Sequence, residues 1–436
     1  MKLLEGIGFG IRPDLSRIEA LVDLLAHPER SYPTIHVAGT NGKSSTARMI
    51  GAILAAHGLA AGVYTSPHLQ SVRERFLTAG LLREGARGVR VAQDRISPDE
   101  FAATFAYLLP FVGMVEARQE EAVTHFELST ALAFEWLADK AVQVGVFEAG
   151  LGGTWDATNV IEAQVAVITP IALDHTSFLG HTFGEQAREK AGILKQGGRA
   201  VSAPQEPEVL EELQRAAGVL RAPLVLAGRD FRLVSDRLAH RGRLISIEGC
   251  RGSYVDLFLP LHGSYQASNA AVAVAACEQF LERSLDEEAL RVGLAAVESP
   301  GRLEVVGRNP LVVLDGAHNP AAAAVLGPAL VETFGERRRI FVVSVFEDKD
   351  QEGILEQLMP HASKLVFTAS SSPRAAPPER LAALATLRGV PCEIIPSLGA
   401  ALDAAISGAR PEDLVVITGS LFAVGEARDR LMGPLE

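Results

Sequence analysis

The residues best equipped for chemistry begin at Gly39-Thr40-Asn41-Gly42-Lys43-Ser44-Ser45, where two glycines, a lysine and hydroxyl groups crowd into one short loop. Glycines let backbone N–H groups approach a ligand closely, lysine adds a mobile positive charge, and a serine hydroxyl can face a divalent cation. That combination suits a phosphate. The full pattern G-x-x-x-x-G-K-[ST] is not met, because Val37 stands where its first glycine would be, and the shorter G-x-x-G-K-S remains. Ile35-His36-Val37-Ala38 reads as a buried strand, and Ala47, Ile50, Ile53 and Leu54 give a helical repeat that ends near Gly58. The loop is therefore expected at a helix N-terminus, where unpaired N–H groups and the helix dipole favour an anion.

Further polar residues fall where strand candidates end. In open α/β sheets ligands gather beyond the carboxyl ends of the strands, which gives such residues weight. Residues 142–147 read as a strand that delivers Glu148, a hard oxygen ligand suited to Mg2+, into the flexible Ala149-Gly150-Leu151-Gly152-Gly153. Residues 165–169 lead to Leu173-Asp174-His175-Thr176, and residues 62–65 lead to Ser66-Pro67-His68. A lone histidine such as His175 is more often a structural hydrogen-bonding group than a ligand. Lys190, in a helical stretch, reads from the residues alone as a solvated face. Asn269 reads as a capping residue at the start of a helix over 266–281. Later, residues 311–314 deliver Asp315-Gly316-Ala317-His318-Asn319-Pro320, a carboxylate and an imidazole on one loop, and Arg302 stands just after a Pro-Gly turn.

The elements that position these groups alternate between short β-branched runs and helical patterns, the signature of βαβ units and a mostly parallel sheet. With 436 residues the chain exceeds what one core usually supports, so two domains are expected. The division falls at Glu298-Ser299-Pro300-Gly301, giving 1–298 and 299–436. Between 223 and 266 a small antiparallel excursion is expected, with runs at 231–234 and 243–247, and the Ala-rich helix 266–281 should close the first domain. The second series has strands expected at 311–314, 340–345, 365–368, 392–395 and 414–418. The stretch 80–95 reads as a charged loop.

Bulk properties narrow the function. Hydrophobic residues make up 48% and charged residues 22%, a globular profile, and the formal net charge of −12 argues against a broad nucleic-acid or anionic-lipid footprint. The three cysteines follow no metal-ligand or disulfide spacing, which fits a reducing compartment. Glu5, Arg12 and Asp14 interrupt the apolar stretch a signal peptide would need, and no later segment reads as long and uncharged enough to span a bilayer. The expectation is a cytoplasmic monomer with small-molecule partners, without nucleic acid or membrane.

Taken in order, the motifs resemble the folylpolyglutamate synthase/dihydrofolate synthase family of the Mur ligase superfamily. They are the phosphate loop, Tyr64-Thr65-Ser66-Pro67-His68-Leu69, Glu148-Ala149-Gly150-Leu151-Gly152-Gly153, Asp156-Ala157-Thr158-Asn159, Leu173-Asp174-His175-Thr176, Arg188-Glu189-Lys190-Ala191-Gly192-Ile193, Pro300-Gly301-Arg302-Leu303-Glu304, Asp315-Gly316-Ala317-His318-Asn319-Pro320 and Thr418-Gly419-Ser420-Leu421. The resemblance implies an α/β fold: a Mur-ligase-type P-loop ATPase domain with a mostly parallel sheet, joined to a smaller Rossmann-like C-terminal domain, with the active site in a cleft between them. It implies ATP and two Mg2+ ions as cofactors, with Ser66, Glu148 and His175 as metal ligands. It also implies that Lys190 is carbamylated and becomes an anionic ligand to the second metal, which replaces the solvated-face reading. Asn269, Arg302 and Asp315 then correspond to ATP contacts, and His318 and Ser420 to residues near the incoming glutamate. Thr124-His125-Phe126-Glu127 and Trp155-Asp156-Ala157 correspond to the pterin side. Many members carry glycine in place of Ser44 and Arg-Leu in place of Thr154-Trp155, and the second departure bears on the pterin pocket.

The implied reaction is ATP-dependent: a substrate carboxylate takes the γ-phosphoryl group, and L-glutamate displaces phosphate from the acyl phosphate to form an amide. Two rivals differ in class. A cell-wall Mur ligase shares the chemistry but needs an extra domain before the phosphate loop, and Gly39 follows too soon after Met1 for that domain to fit. A nucleotide-binding regulator would need no strand-end acids.

Overall fold

The computed structural model describes residues 12–83 and 89–435. Glu5, one of the three charged residues that speak against a signal peptide, lies outside the described residues, as do positions 84–88 of the stretch read as a charged loop. The chain forms two compact units. The first comprises the residues up to Pro67, Val72–Pro260 and Gln266–Glu298, and the second comprises His68–Ser71, Leu261–Tyr265 and Ser299–Glu436.

The first unit is built on β1 (Thr34–Ala38), β2 (Ala61–Tyr64), β3 (Phe76–Arg83), β4 (Val89–Arg95), β5 (Val144–Glu148), β6 (Val165–Ile168), β7 (Arg199–Ser202) and β8 (Leu224–Leu226). These lie in one sheet in the order β4-β3-β2-β5-β1-β6-β7-β8. The six strands from β2 to β8 in that order are mutually parallel, while β3 and β4 run antiparallel at one edge. All residues of β1, β5 and β6 are buried, which explains their continuous apolar runs: a parallel strand is covered on both faces. The chain leaving β1 runs towards β2 and the chain leaving β6 runs towards β7. Adjacent strands thus send their connections opposite ways, the topological switch point beyond whose carboxyl ends ligands collect in open α/β sheets.

The charged stretch 80–95 is a correction to the sequence reading. Its described parts belong to the β3–β4 hairpin, whose pairing runs from Leu77–Arg95 to Arg83–Val89. Charges on an edge strand blunt further pairing, and they also make it look like a loop. The antiparallel excursion exists and has three strands rather than two: β9 (Arg232–Ala239), β10 (Gly242–Glu248) and β11 (Ser253–Leu259), in the order β11-β10-β9. The Ala-rich helix starts at Ser264, two residues before its expected start, and a further helix, Glu287–Ala295, follows it in the first unit.

One helix, Pro98–Gln119, has the length and mean hydropathy of a bilayer span, contrary to the sequence reading that no segment does. Its Phe101, Phe105, Leu108 and Val115 are buried in the same apolar cluster as Tyr64, Phe76, Phe134 and Trp136, while Tyr107, Leu109 and Met114 are exposed.

The second unit contains β12 (Glu304–Arg308), β13 (Leu311–Leu314), β14 (Arg339–Val343), β15 (Lys364–Ala369), β16 (Cys392–Ser397) and β17 (Leu414–Thr418). Their order is β12-β13-β17-β14-β15-β16, parallel throughout except for β12, which the sequence reading missed. Helices cover both faces, one cluster gathering Leu326, Leu330, Ile354 and Leu381 and another Leu402, Ala423 and Val424.

A buried ion cluster anchors the helix His125–Asp139. Arg17, 1% exposed, donates from Nε to both Glu127 oxygens at 3.0 and 3.2 Å and from Nη1 to Glu121 at 2.7 Å. Glu127 in turn accepts the Thr124 N–H at 2.7 Å, and the Thr124 hydroxyl accepts the Glu127 N–H at 3.2 Å, a complete capping box. Removing one member of a buried pair leaves the other charge uncompensated, at a cost of about 3–5 kcal/mol. Arg17→Met is therefore expected to lower unfolding free energy by ~3 kcal/mol or more in urea titration, and a loss below ~1 kcal/mol would show that the cluster does not stabilise this helix.

Candidate active site

The phosphate loop leaves β1 at Gly39, whose φ is +146° and whose ideal Cβ would stand 2.0 Å from Thr169 Oγ1, so only glycine fits there. The N–H groups of Thr40 and Asn41 both donate to the Pro170 carbonyl, at 3.0 and 3.3 Å. The Thr40 hydroxyl donates to Ala172 O at 2.9 Å and accepts the Ala172 N–H at 3.0 Å. The loop is thus moored to the segment that follows β6. Gly42, at φ +86°, turns the chain into the helix Lys43–Ala56, and Lys43 Nζ donates to Thr40 O at 3.1 Å.

Asn269 does not cap a helix. The helix begins at Ser264, which puts Asn269 in its second turn, 6% exposed, with Oδ1 lying 2.7 Å from where a Cβ on Gly42 would be. It donates to Gln266 Oε1 at 3.1 Å, and Gln266 Nε2 donates to Ser45 Oγ at 3.2 Å. Gln266 went unnoticed in the sequence, where nothing distinguishes it from any other polar residue of an Ala-rich helix.

Glu148 ends β5 at 1% exposure. One carboxylate oxygen accepts the Ser44 hydroxyl at 2.9 Å and the other accepts the Ser66 N–H at 3.0 Å. The structure therefore brings together three of the residues singled out from sequence. His175 stands beyond β6 with φ +48° at the start of the short helix Thr176–Leu179, its N–H donated to Asp174 Oδ1 at 2.8 Å.

Lys190 is 4% exposed, which overturns the solvated-face reading. The last turn of the helix Phe183–Ala191 lies against the phosphate loop, and Lys190 Nζ donates to Gly39 O at 3.1 Å. Burial, reinforced by the nearby positive charge of Lys43, lowers the Lys190 ammonium to a pKa of about 7. A neutral amine is then available near neutral pH.

The residues fit a hard cation. Ser44 and Glu148 offer oxygen donors beside a phosphate-binding loop, and Mg2+ is usually held by one or two carboxylates together with substrate phosphates and water. No cluster of three or more His, Cys, Asp or Glu side chains with metal-ligand geometry occurs among the described residues.

On the expected pterin side, the Thr124 and Glu127 side chains take part in the capping box, and Glu127 also accepts from Arg17. Phe126 packs beneath Gly150, where a Cβ would come within 2.5 Å of its ring. His125 is buried, and desolvation together with the positive charge of Arg75 lowers its pKa to about 4, which keeps it neutral. Asp156, 2% exposed, accepts the Leu151 N–H at 2.8 Å and the Thr158 N–H at 3.0 Å, holding the glycine-rich turn and the following Ala157 in shape. Trp155 is half-buried beside Gly152.

In the second unit, Asp315 is 5% exposed and accepts the N–H groups of Leu303 and Ala317, both at 2.9 Å. Burial raises its pKa, and the Arg302 charge opposes that shift. Arg302 donates to Gly301 O at 3.3 Å and lies over Gly316. His318 Nδ1 lies 2.8 Å from Gly316 O. Ser420 begins the helix Leu421–Met432, where its hydroxyl accepts the Phe422 N–H at 3.2 Å. All four follow the carboxyl ends of β13 and β17 or the turn just before β12.

Comparison with known proteins agrees with this architecture. Residues 301–421 match the Mur ligase, glutamate ligase domain family. A dihydrofolate synthase/folylpolyglutamate synthase of Mycobacterium tuberculosis is 40% identical over 96% of this chain and 90% of that protein. The structure of Mycobacterium tuberculosis folylpolyglutamate synthase complexed with ADP superposes with a TM-score of 0.90, at 40% identity, over 97% of this chain and 95% of the other. Escherichia coli FolC in complex with DHPP and ADP superposes with a TM-score of 0.85, at 31% identity, over 99% of this chain and 96% of the other. With identity of that extent along nearly its whole length, the chain belongs to the dihydrofolate synthase/folylpolyglutamate synthase family of ATP-dependent ligases.

Proposed function

We propose that this chain uses ATP to join L-glutamate to a carboxylate of a folate, and also of dihydropteroate, through an acyl phosphate. The observation that carries the reading is Glu148, clasped by the Ser44 hydroxyl and the Ser66 N–H at the mouth of a phosphate loop that Lys190 grips through Gly39 O. The relatives complexed with ADP and with DHPP support it. ATP is assigned to the loop residues Gly39, Thr40, Asn41, Gly42, Lys43, Ser44 and Ser45 and to Asn269, Arg302 and Asp315. On the acceptor side we retain His125, Phe126, Trp155 and Ala157, with Thr124, Glu127 and Asp156 shaping the backbone around them. His318 and Ser420 are assigned to glutamate.

In this mechanism the backbone amides of the loop and Lys43 hold the γ-phosphoryl group in line with the attacking carboxylate, and bound charge stabilises the phosphoryl oxygens. The carboxylate oxygen forms a bond to phosphorus as the bond to ADP breaks. The amino group of glutamate then adds to the activated carbonyl, loses a proton, and phosphate departs with the C–O bond. Mg2+, assigned in two positions to Ser66, Glu148, His175 and Lys190, would supply positive charge to the phosphate oxygens.

Lys190 is assigned as the carbamylated residue: its neutral amine adds to CO2 carbon and releases one proton, leaving a carbamate anion. Its burial and lowered pKa support that step. We further assign the ATPase part to residues 1–298 and the glutamate-ligase part to 299–436, and a monomeric protein in the cytoplasm, for which the three free cysteines are the supporting sign.

Lys43→Ala and Glu148→Ala are expected to abolish ADP formation that depends on both glutamate and acceptor, a loss of ~100-fold or more for preorganised electrostatic groups; near-normal turnover in either would sink the assignment. Mass spectrometry of products made from dihydropteroate and from tetrahydrofolate decides between one acceptor and two. For Lys190 the sign follows from its amine: protonated below a pKa of about 7, it cannot add to CO2, and deprotonated above that value it can. Incorporation of labelled CO2 is expected to rise as pH increases through about 7 and to vanish in Lys190→Ala, and a pH-independent signal would refute it.

A further inference from the structure

Glu189 precedes Lys190 in sequence and faces the opposite partner. Its carboxylate oxygen Oε1 accepts the Gly153 N–H at 3.2 Å and the Trp155 N–H at 3.4 Å, while its main-chain carbonyl accepts the Thr154 N–H at 3.0 Å and the Thr154 hydroxyl at 3.1 Å. The fit is tight: a Cβ on Gly153 would come within 2.6 Å of Glu189 O, one on Gly152 within 2.9 Å of Glu189 Oε1, and one on Gly192 within 2.2 Å of the Thr154 hydroxyl. The turn 152–155 therefore rests on the end of the helix Phe183–Ala191, and the Trp155 ring lies back over Gly152, whose Cβ would come within 3.2 Å of it. On the neighbouring residue, Lys190 Nζ holds the phosphate loop through Gly39 O. One helix end thus touches both the nucleotide loop and the turn carrying the half-buried indole.

We infer that Glu189 is a positioning residue that fixes the 152–155 turn, and with it the Trp155 ring, as the aromatic wall for the flat heterocycle of the acceptor. Glutamate suits the task because one oxygen can accept two backbone N–H groups from the same turn, and a charged acceptor strengthens both bonds. Glutamine keeps an oxygen at the same reach, whereas alanine leaves both N–H groups unanswered. The acceptor's identity as a pteridine or folate rests on the reading proposed above; the placement of Trp155 does not.

The test compares Glu189→Ala and Glu189→Gln with the wild type, on full-length protein. Glu189→Ala is expected to raise KM for dihydropteroate or tetrahydrofolate about tenfold, equivalent to ~1.4 kcal/mol, with KM for ATP within about twofold, while Glu189→Gln restores most of the acceptor affinity. A rise in KM for ATP as large as that for the acceptor, or a Gln variant as impaired as Ala, overturns the inference. Ligand-free tryptophan emission gives an independent reading, because the chain has two tryptophans and Trp136 is only 3% exposed. The emission of Glu189→Ala should shift towards that of exposed indole, and an unchanged spectrum overturns the placement. Should the alanine variant fail to fold, Glu189→Asp, too short to reach both N–H groups, takes its place with the same expectations. A wild type without acceptor-dependent turnover but with the emission shift would refute the proposed acceptor and leave the positioning role standing.

Discussion

The register between β1 and its two neighbours is the constraint on which the rest depends. Val37 pairs with Glu148 on one side and with Val167 on the other, so the ends of three parallel strands are level. Tyr64 pairs with Phe147, which brings Ser66 to the same height. Because side chains alternate between faces, a slip of one residue would carry Glu148 to the opposite face of the sheet and away from Ser44 and Ser66. The buried apolar runs of β1, β5 and β6 oppose such a slip, since they fit against helices on both sides. Core packing thus aligns the polar groups, although none of them belongs to the core's own chemistry.

What could be read from sequence follows from this arrangement. Glycine at 39 and 42, the lysine after it and the acid at a strand end are local signals, because each states a backbone need or a strand boundary that sequence neighbours reveal. Lys190 and Asn269 are different. A lysine or asparagine inside a helix looks the same whether its face meets water or a phosphate loop, and only tertiary packing decides. Thr124 and Glu127 show the reverse: the Thr-x-x-Glu spacing is a local capping-box signature, and the structure contains that box. β4 and β12 give a weak signal for a third reason, since edge strands carry charges or glycine that blunt the alternating pattern, and β3 is the hairpin partner of one of them.

The electrostatics reconcile an acidic chain with anionic substrates. A net charge of −12 makes no attractive field overall, so in the proposed function an anion at the phosphate loop would be held by short-range groups, the N–H donors at the helix start and Lys43. Glu148, Asp156 and Asp315 are each committed to hydrogen bonds within their own unit. Burial alone would favour their neutral forms, and for Asp156 and Asp315 it does raise the pKa against the pull of those donors.

Asn269 fills the space that Gly42 leaves, and Gln266 reaches Ser45, so the phosphate loop near the start of the chain is finished by residues more than 200 positions later. A ribosome making this protein releases the strand, the glycines and Lys43 early, yet the contacts that complete them must wait for the helix Ser264–Leu281 to emerge. The nascent chain therefore carries an unfinished nucleotide site through most of the synthesis of its first unit, and gains a finished one only when the sheet is already enclosed.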